Sequence, residues 1–110
     1  MKSARTKACE IPPKVKHIVY QRDNEHCLLC GRWVPESCAC CHFIPRSQGG
    51  KGVEENILTL CYKCHQEFDN GSGRKEKETF LENYLKSVYK DWTRLKVIYD
   101  KWEVFRHNSQ

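Results

Sequence analysis

The sequence predicts a single small α+β domain with an internal staple, on three observations. The chain has 110 residues, a length at which only about two thirds of the unfolded surface becomes buried. Two Cys-x-x-Cys pairs, Cys27/Cys30 and Cys61/Cys64, stand at matched spacing. Apolar residues recur at helical intervals towards both ends, while the middle is short, strand-like and broken by turn residues.

Taken in order, residues 1–11 are polar without apolar periodicity and read as a loose N-terminal arm. Pro12-Pro13 suits a helix start, and Val15, Ile18 and Val19 share one helix face. A helix of about two or three turns follows, broken by the polar run at 22–26. From 31 to 60 the pattern is strand-like, with turns at Gly31, Pro35, Pro45 and Gly49-Gly50. Ile57, Leu60 and Phe68 suit a helix beginning near the second cysteine pair and ending in the Asn- and Gly-rich run at 69–73. The charge run at 73–78 reads as the start of a soluble helix, carrying Phe80, Leu81, Tyr84, Leu85 and Val88. Asp91 is placed to N-cap a last helix bearing Trp92, Leu95, Ile98, Trp102 and Phe105. These aromatic stripes read as core rather than as a base-stacking platform, because helical stripes bury themselves. The expected organisation is an arm at 1–11, a core at 12–73 and a helical extension of the same domain at 74–110.

Eight cysteines would suggest disulfides in a secreted chain. The N-terminus lacks the apolar stretch of a signal peptide, and no segment approaches the roughly 20 apolar residues of a membrane span. A cytoplasmic protein with reduced, metal-binding thiols is therefore expected. Lys and Arg total 19 against 14 Asp and Glu, a net charge of +5. This modest excess permits a phosphate-backbone partner without establishing one.

The spacing of each cysteine pair lets two sulfurs face one ion, and four thiolates around Zn²⁺ make a closed structural site. The 30 residues between the pairs exceed the roughly 15–20 of a simple zinc ribbon, so an additional motif is inserted there.

That insertion carries "CHFIPRSQGG", followed by "EENILTLCYKCHQEFDNG". The text resembles the HNH endonucleases of phages and prophages, also called His-Me finger or ββα-metal nucleases. Their usual pattern is a His-His or Asp-His pair, Ile-x-Pro-Arg-Ser-x-Gly-Gly, an Asn, then Leu-Cys-x-x-Cys-His. The resemblance spans about residues 27–70, and it implies a ββα-metal fold with a structural Cys₄ zinc and flanking N- and C-terminal helices.

By that resemblance, His42 stands where the family places its general base, and Asn56 matches the central Asn that braces the loop aiming the base. His65 matches a ligand of a catalytic metal, with Asp69 one helical turn later where many members have a second His. Cys41 holds the position usually taken by Asp or His. A soft thiolate is poorly suited to Mg²⁺, so either the metal preference shifts or Cys41 is not a ligand. Cys38 and Cys40 read as buried thiols, Cys9 as inert, and His17, His26 and His107 as surface or satisfied residues. Arg46 and Lys51 flank the Gly-Gly turn as candidate phosphate contacts.

The implied function is metal-dependent hydrolysis of DNA phosphodiester bonds, using structural zinc plus a catalytic Mg²⁺, Mn²⁺, Ni²⁺ or Zn²⁺ and leaving 5′-phosphate and 3′-hydroxyl ends. DNA is the expected partner, with phage packaging proteins a further one suggested by the resemblance. Two rivals stay open: a non-catalytic zinc module that binds DNA or protein, and an inactive nuclease relative kept for binding.

Overall fold

A computed structural model describes residues 2–71 and 73–103. Six regular elements lie along it: helices α1 (Ala4–Cys9) and α2 (Pro13–Arg22), strands β1 (Cys41–His42) and β2 (Ile57–Leu58), and helices α3 (Tyr62–Asn70) and α4 (Arg74–Val88). Mixed helices around a small two-stranded sheet are the expected α+β class. The sheet is antiparallel, with Cys41 opposite Leu58 and His42 opposite Ile57.

Helix α2 starts at Pro13, which tolerates the first helical position because the amide it lacks would be unbonded there. Asn24 and Glu25 then take left-handed φ angles of 57° and 62°, which ends the helix and turns the chain towards Cys27. The last helical residue does the most to fix the core. Arg22 donates to the carbonyls of Glu54 and Ile57, both at 2.7 Å, and pairs with buried Asp23 at 2.7 Å. Asp23 in turn accepts from Thr59 N at 3.0 Å and Tyr84 Oη at 2.6 Å. A buried carboxylate and a half-buried guanidinium are thus paired and fully engaged, the condition under which burial of a charge is tolerated. The same two residues tie α2, β2 and α4 together.

Phe43 lies at the centre of the apolar core, 6.3 Å from the Phe68 ring of α3 and edge-on to Trp92 at 5.7 Å. Leu81 and Leu85 present the buried stripe of α4, whereas Phe80 and Val88 are exposed.

Three expectations are corrected. The N-terminal arm is not loose throughout, because Ala4–Cys9 form a helix N-capped by Ser3, whose hydroxyl accepts from Thr6 N at 3.1 Å. Its single buried residue, Cys9, gave no periodic signal. Ile57 and Leu60 do not line a helix: Ile57 is in β2, and α3 begins only after Cys61. The helix expected from Asp91 is a short 3₁₀ turn, Arg94–Val97, preceded by Asp91 at φ 63°. Tertiary pairing overrides helical periodicity there, since Val97 accepts from Lys51 N at 2.8 Å and Tyr99 N donates to Gly49 at 2.7 Å. Trp92 and Val97 are core residues, while Leu95 and Trp102 stay exposed. Phe105 lies outside the described residues.

Candidate active site

Two local turns bring the knuckle cysteines together. In the first, Gly31 N donates to the Cys27 carbonyl at 2.9 Å and Cys30 N approaches Cys27 Sγ at 3.5 Å, with Gly31 at φ 79°. In the second, Cys61 N-caps α3 through its sulfur, which accepts from Cys64 N at 3.4 Å. The four sulfurs lie within 4.8 Å of one another, and those of Cys30 and Cys61 are 3.7 Å apart. A tetrahedral zinc with its usual bond lengths requires sulfurs about 3.8 Å apart, so the donor set fits zinc. The Arg32 amide lowers the Cys30 thiol to about 7, whereas burial pushes Cys64 up. Cys64 is thus the harder thiol to ionise without a cation beside it.

Above the knuckles, the loop joining β1 to β2 is organised by Asn56, which is wholly buried. Its side chain accepts from Ile44 N at 2.8 Å and donates to the carbonyls of Ile44 at 3.2 Å and Lys51 at 2.9 Å. Gly50 makes the loop's tight return possible, because a side-chain carbon there would stand 1.7 Å from the Ile44 carbonyl oxygen.

This loop opens a cleft lined by Cys40, His42, Pro45, Arg46, Gln48, His65, Asp69 and Arg74. His42 Nε2 lies 2.8 Å from the Cys9 carbonyl oxygen. A carbonyl only accepts, so Nε2 carries the proton. Burial is the largest influence on this imidazole and holds it below its usual range, opposed in part by the Cys9 hydrogen bond. His42 is therefore neutral at neutral pH, the form a proton acceptor needs. His65 and Asp69 face the cleft together from one side of α3, Nε2 to Oδ2 at 3.3 Å. An imidazole and a carboxylate so placed fit a borderline or hard divalent ion with coordination positions to spare.

Two expected site residues are placed elsewhere. Cys41 is wholly buried and does not line the cleft; burial, with the Asp69 charge adding to it, pushes its thiol far up. The cause is strand parity: alternate side chains point to opposite faces, so Cys40 shares the face of His42 and Cys41 takes the core side. Lys51 also turns away, its Nζ 3.3 Å from the Lys96 carbonyl and 3.4 Å from Glu103. Cys38 and Cys40 are half-buried rather than buried.

Arg74 and Gln48 were not legible as site residues. Arg74 reaches the cleft as the first residue of α4, held over the Phe68 ring at 4.7 Å. The signal for Cys40 was available in the parity of β1. His17 pairs with Glu36 at 3.1 Å and His26 contacts the Asn24 carbonyl, both outside the cleft; His107 lies outside the described residues.

Among known proteins, the family described as HNH endonuclease matches residues 27–70. A curated relative is Anaredoxin of Nostoc sp. (strain PCC 7120 / SAG 25.82 / UTEX 2576), 34% identical over 59 residues, which cover 53% of this chain and 75% of that protein. No solved structure matches.

Proposed function

Because the chain carries an HNH endonuclease domain at residues 27–70, we propose that it is a metal-dependent endonuclease hydrolysing DNA phosphodiester bonds, with His42 as general base. The observation that carries this reading is one cleft holding a neutral imidazole, the His65/Asp69 pair and two arginines. In the reaction, the unprotonated nitrogen of His42 takes the proton of the attacking water. Arg46 and Arg74 hold the non-bridging phosphate oxygens and orient the strand. A divalent ion held by His65 and Asp69 would supply Lewis-acid stabilisation of the charge that develops on the phosphate and the leaving oxygen. Asn56 acts at a distance, fixing the loop that carries His42 and Arg46.

A phage or prophage origin, with packaging proteins as partners, belongs to the same reading and rests on the sequence motif alone. Action in the cytoplasm accords with the reduced thiolates that the knuckle requires. Among the described residues no helix is long and apolar enough to cross a membrane.

One observation favours a second reading, a non-catalytic zinc module: among the described residues only the knuckle cysteines form a cluster of three or more metal-binding groups. Plasmid nicking separates the two. The nuclease reading expects cuts that depend on added Mg²⁺, Mn²⁺, Ni²⁺ or Zn²⁺, and a His42→Ala variant slower by roughly 10²–10⁴-fold with zinc content unchanged. Nicking by His42→Ala at the wild-type rate would remove His42 as the base, and no nicking with any of these metals would favour the binding module.

A further inference from the structure

We propose that α1, with Glu10 behind it, is a positioning clamp for His42, in which the Cys9 carbonyl determines which imidazole nitrogen is left to accept a proton. The inference rests on the nuclease reading for its consequence in catalysis and on geometry for the clamp itself.

The last four carbonyls of an α-helix have no partner within the helix. In α1 each of the four has a defined destination. Those of Thr6 and Lys7 accept from Glu10 N at 3.2 and 3.3 Å, closing the helix. The carbonyl of Ala8 accepts from Gly52 N at 2.9 Å, and that of Cys9 accepts from His42 Nε2 at 2.8 Å. The two outermost acceptors of α1 are thus both spent on the segment that carries the candidate base. Arg5 adds a third tie on the exposed side, donating to the carbonyls of Ser47 at 3.1 Å and Arg46 at 3.4 Å.

A helix of six residues has little stability in isolation, so α1 owes its order to this docking. Gly52 shows how close the approach is: a side-chain carbon there would stand 1.7 Å from the Glu10 carbonyl oxygen and 2.9 Å from Ile11 N. Only glycine lets the two backbones meet.

The chemical consequence follows from the imidazole's two nitrogens. In the neutral ring one is a donor and the other an acceptor, and the hydrogen bond made by one decides the role of the other. The Cys9 carbonyl holds the proton on Nε2, so Nδ1 keeps the lone pair. Cys9 is a positioning residue acting through its backbone, and the N-terminal segment belongs to the working site although it lies 33 residues from His42 in sequence.

The test is nitrogen-15 NMR of the histidine rings in the full zinc-loaded chain, combined with plasmid nicking. Wild-type His42 should show the Nε2–H tautomer with slow exchange of that proton. Gly52→Ala, whose methyl displaces the Glu10 carbonyl, should give a tautomer mixture and nick about 10–100-fold more slowly, with zinc content retained. Arg5→Ala changes an exposed residue and should speed exchange of the Nε2 proton, with an about two- to fivefold loss of nicking. A wild-type His42 in the Nδ1–H form would overturn the proposal, as would a Gly52→Ala protein with an unchanged ring spectrum. Should Gly52→Ala not fold, the wild-type spectrum and Arg5→Ala decide, and unaltered exchange in Arg5→Ala counts against the clamp. The ring spectra are read without catalysis, so a protein that never nicks would sink the nuclease reading while leaving the clamp to be judged on its own signal.

Discussion

The four knuckle sulfurs lie within 4.8 Å of one another, whereas in the cleft His65 and Asp69 pair at 3.3 Å and, among the described residues, no third metal-binding group joins them. The knuckle arises from two short turns, each closed within four residues by an amide directed at a sulfur. The cleft draws on the loop after β1, on α3, on the start of α4 and, through Cys9, on α1. One site is therefore encoded locally and nearly complete; the other exists only once distant segments have packed. A closed site suits a metal that supports folding, and an open one suits a metal that must share its coordination with a substrate.

The largest effect expected from this contrast follows loss of a knuckle ligand. Cys61→Ser should abolish zinc retention and unfold the domain, because structural zinc contributes an apparent 10–16 kcal/mol, roughly, in small zinc domains, comparable to or larger than a domain's whole stability of about 5–15 kcal/mol. Serine is a favoured N-cap, so α3 keeps its cap and the change isolates the metal. Zinc stoichiometry and circular dichroism check it, and a variant with native dichroism and melting temperature would show that the knuckle does not support the fold.

The same contrast accounts for what was legible in the sequence. The knuckles were readable because their geometry is set by spacing within each pair. His42, Asn56, His65 and Asp69 were placed by resemblance to a motif whose order along the chain is maintained. The inward face of Cys41 was not legible because the motif names positions and not faces, and the parity that turns it inward is set by a strand of only two residues. The direction of the Lys51 side chain was not legible because its partner, Glu103, is 52 residues away. The helix expected after Asp91 failed for a related reason: its apolar spacing is helical, but Val97 and Tyr99 exchange hydrogen bonds with Lys51 and Gly49. Helix α1 left no trace because it is held by backbone carbonyls, which every sequence has.

A smaller effect is expected at Asn56, which lies between the two regions. Asn56→Ala leaves the buried Ile44 amide without its acceptor and two carbonyls without a donor, at a cost of about 1–3 kcal/mol for each group left unsatisfied. The knuckle makes no use of Asn56, so zinc should stay bound while the melting temperature drops and nicking slows by about 10–100-fold. Zinc content, thermal melts and nicking read the three quantities separately. Loss of zinc would mean that loop and knuckle are one cooperative unit, and unchanged nicking would remove Asn56 from the site.

The smallest effect is expected at Cys41, and it sharpens the contrast most. If the open site is built from the cleft face of β1, then a residue on the opposite face should be irrelevant to metal choice however well it matches the motif. Cys41 is wholly buried, and burial holds its thiol protonated, whereas a cysteine binds metal as the thiolate. Cys41→Ala should therefore cost about 1 kcal/mol of stability for the small void left behind. It should leave the nicking rate within about twofold of wild type, with the same order of preference among Mg²⁺, Mn²⁺, Ni²⁺ and Zn²⁺. Cys40→Ala, on the face shared with His42, is the matched control for removing a thiol from the cleft itself. Parallel nicking across the four metals reads both variants. A change of metal preference in Cys41→Ala at an unaltered melting temperature would return Cys41 to the coordination sphere, and would mean that β1 turns its other face to the cleft when metal is bound.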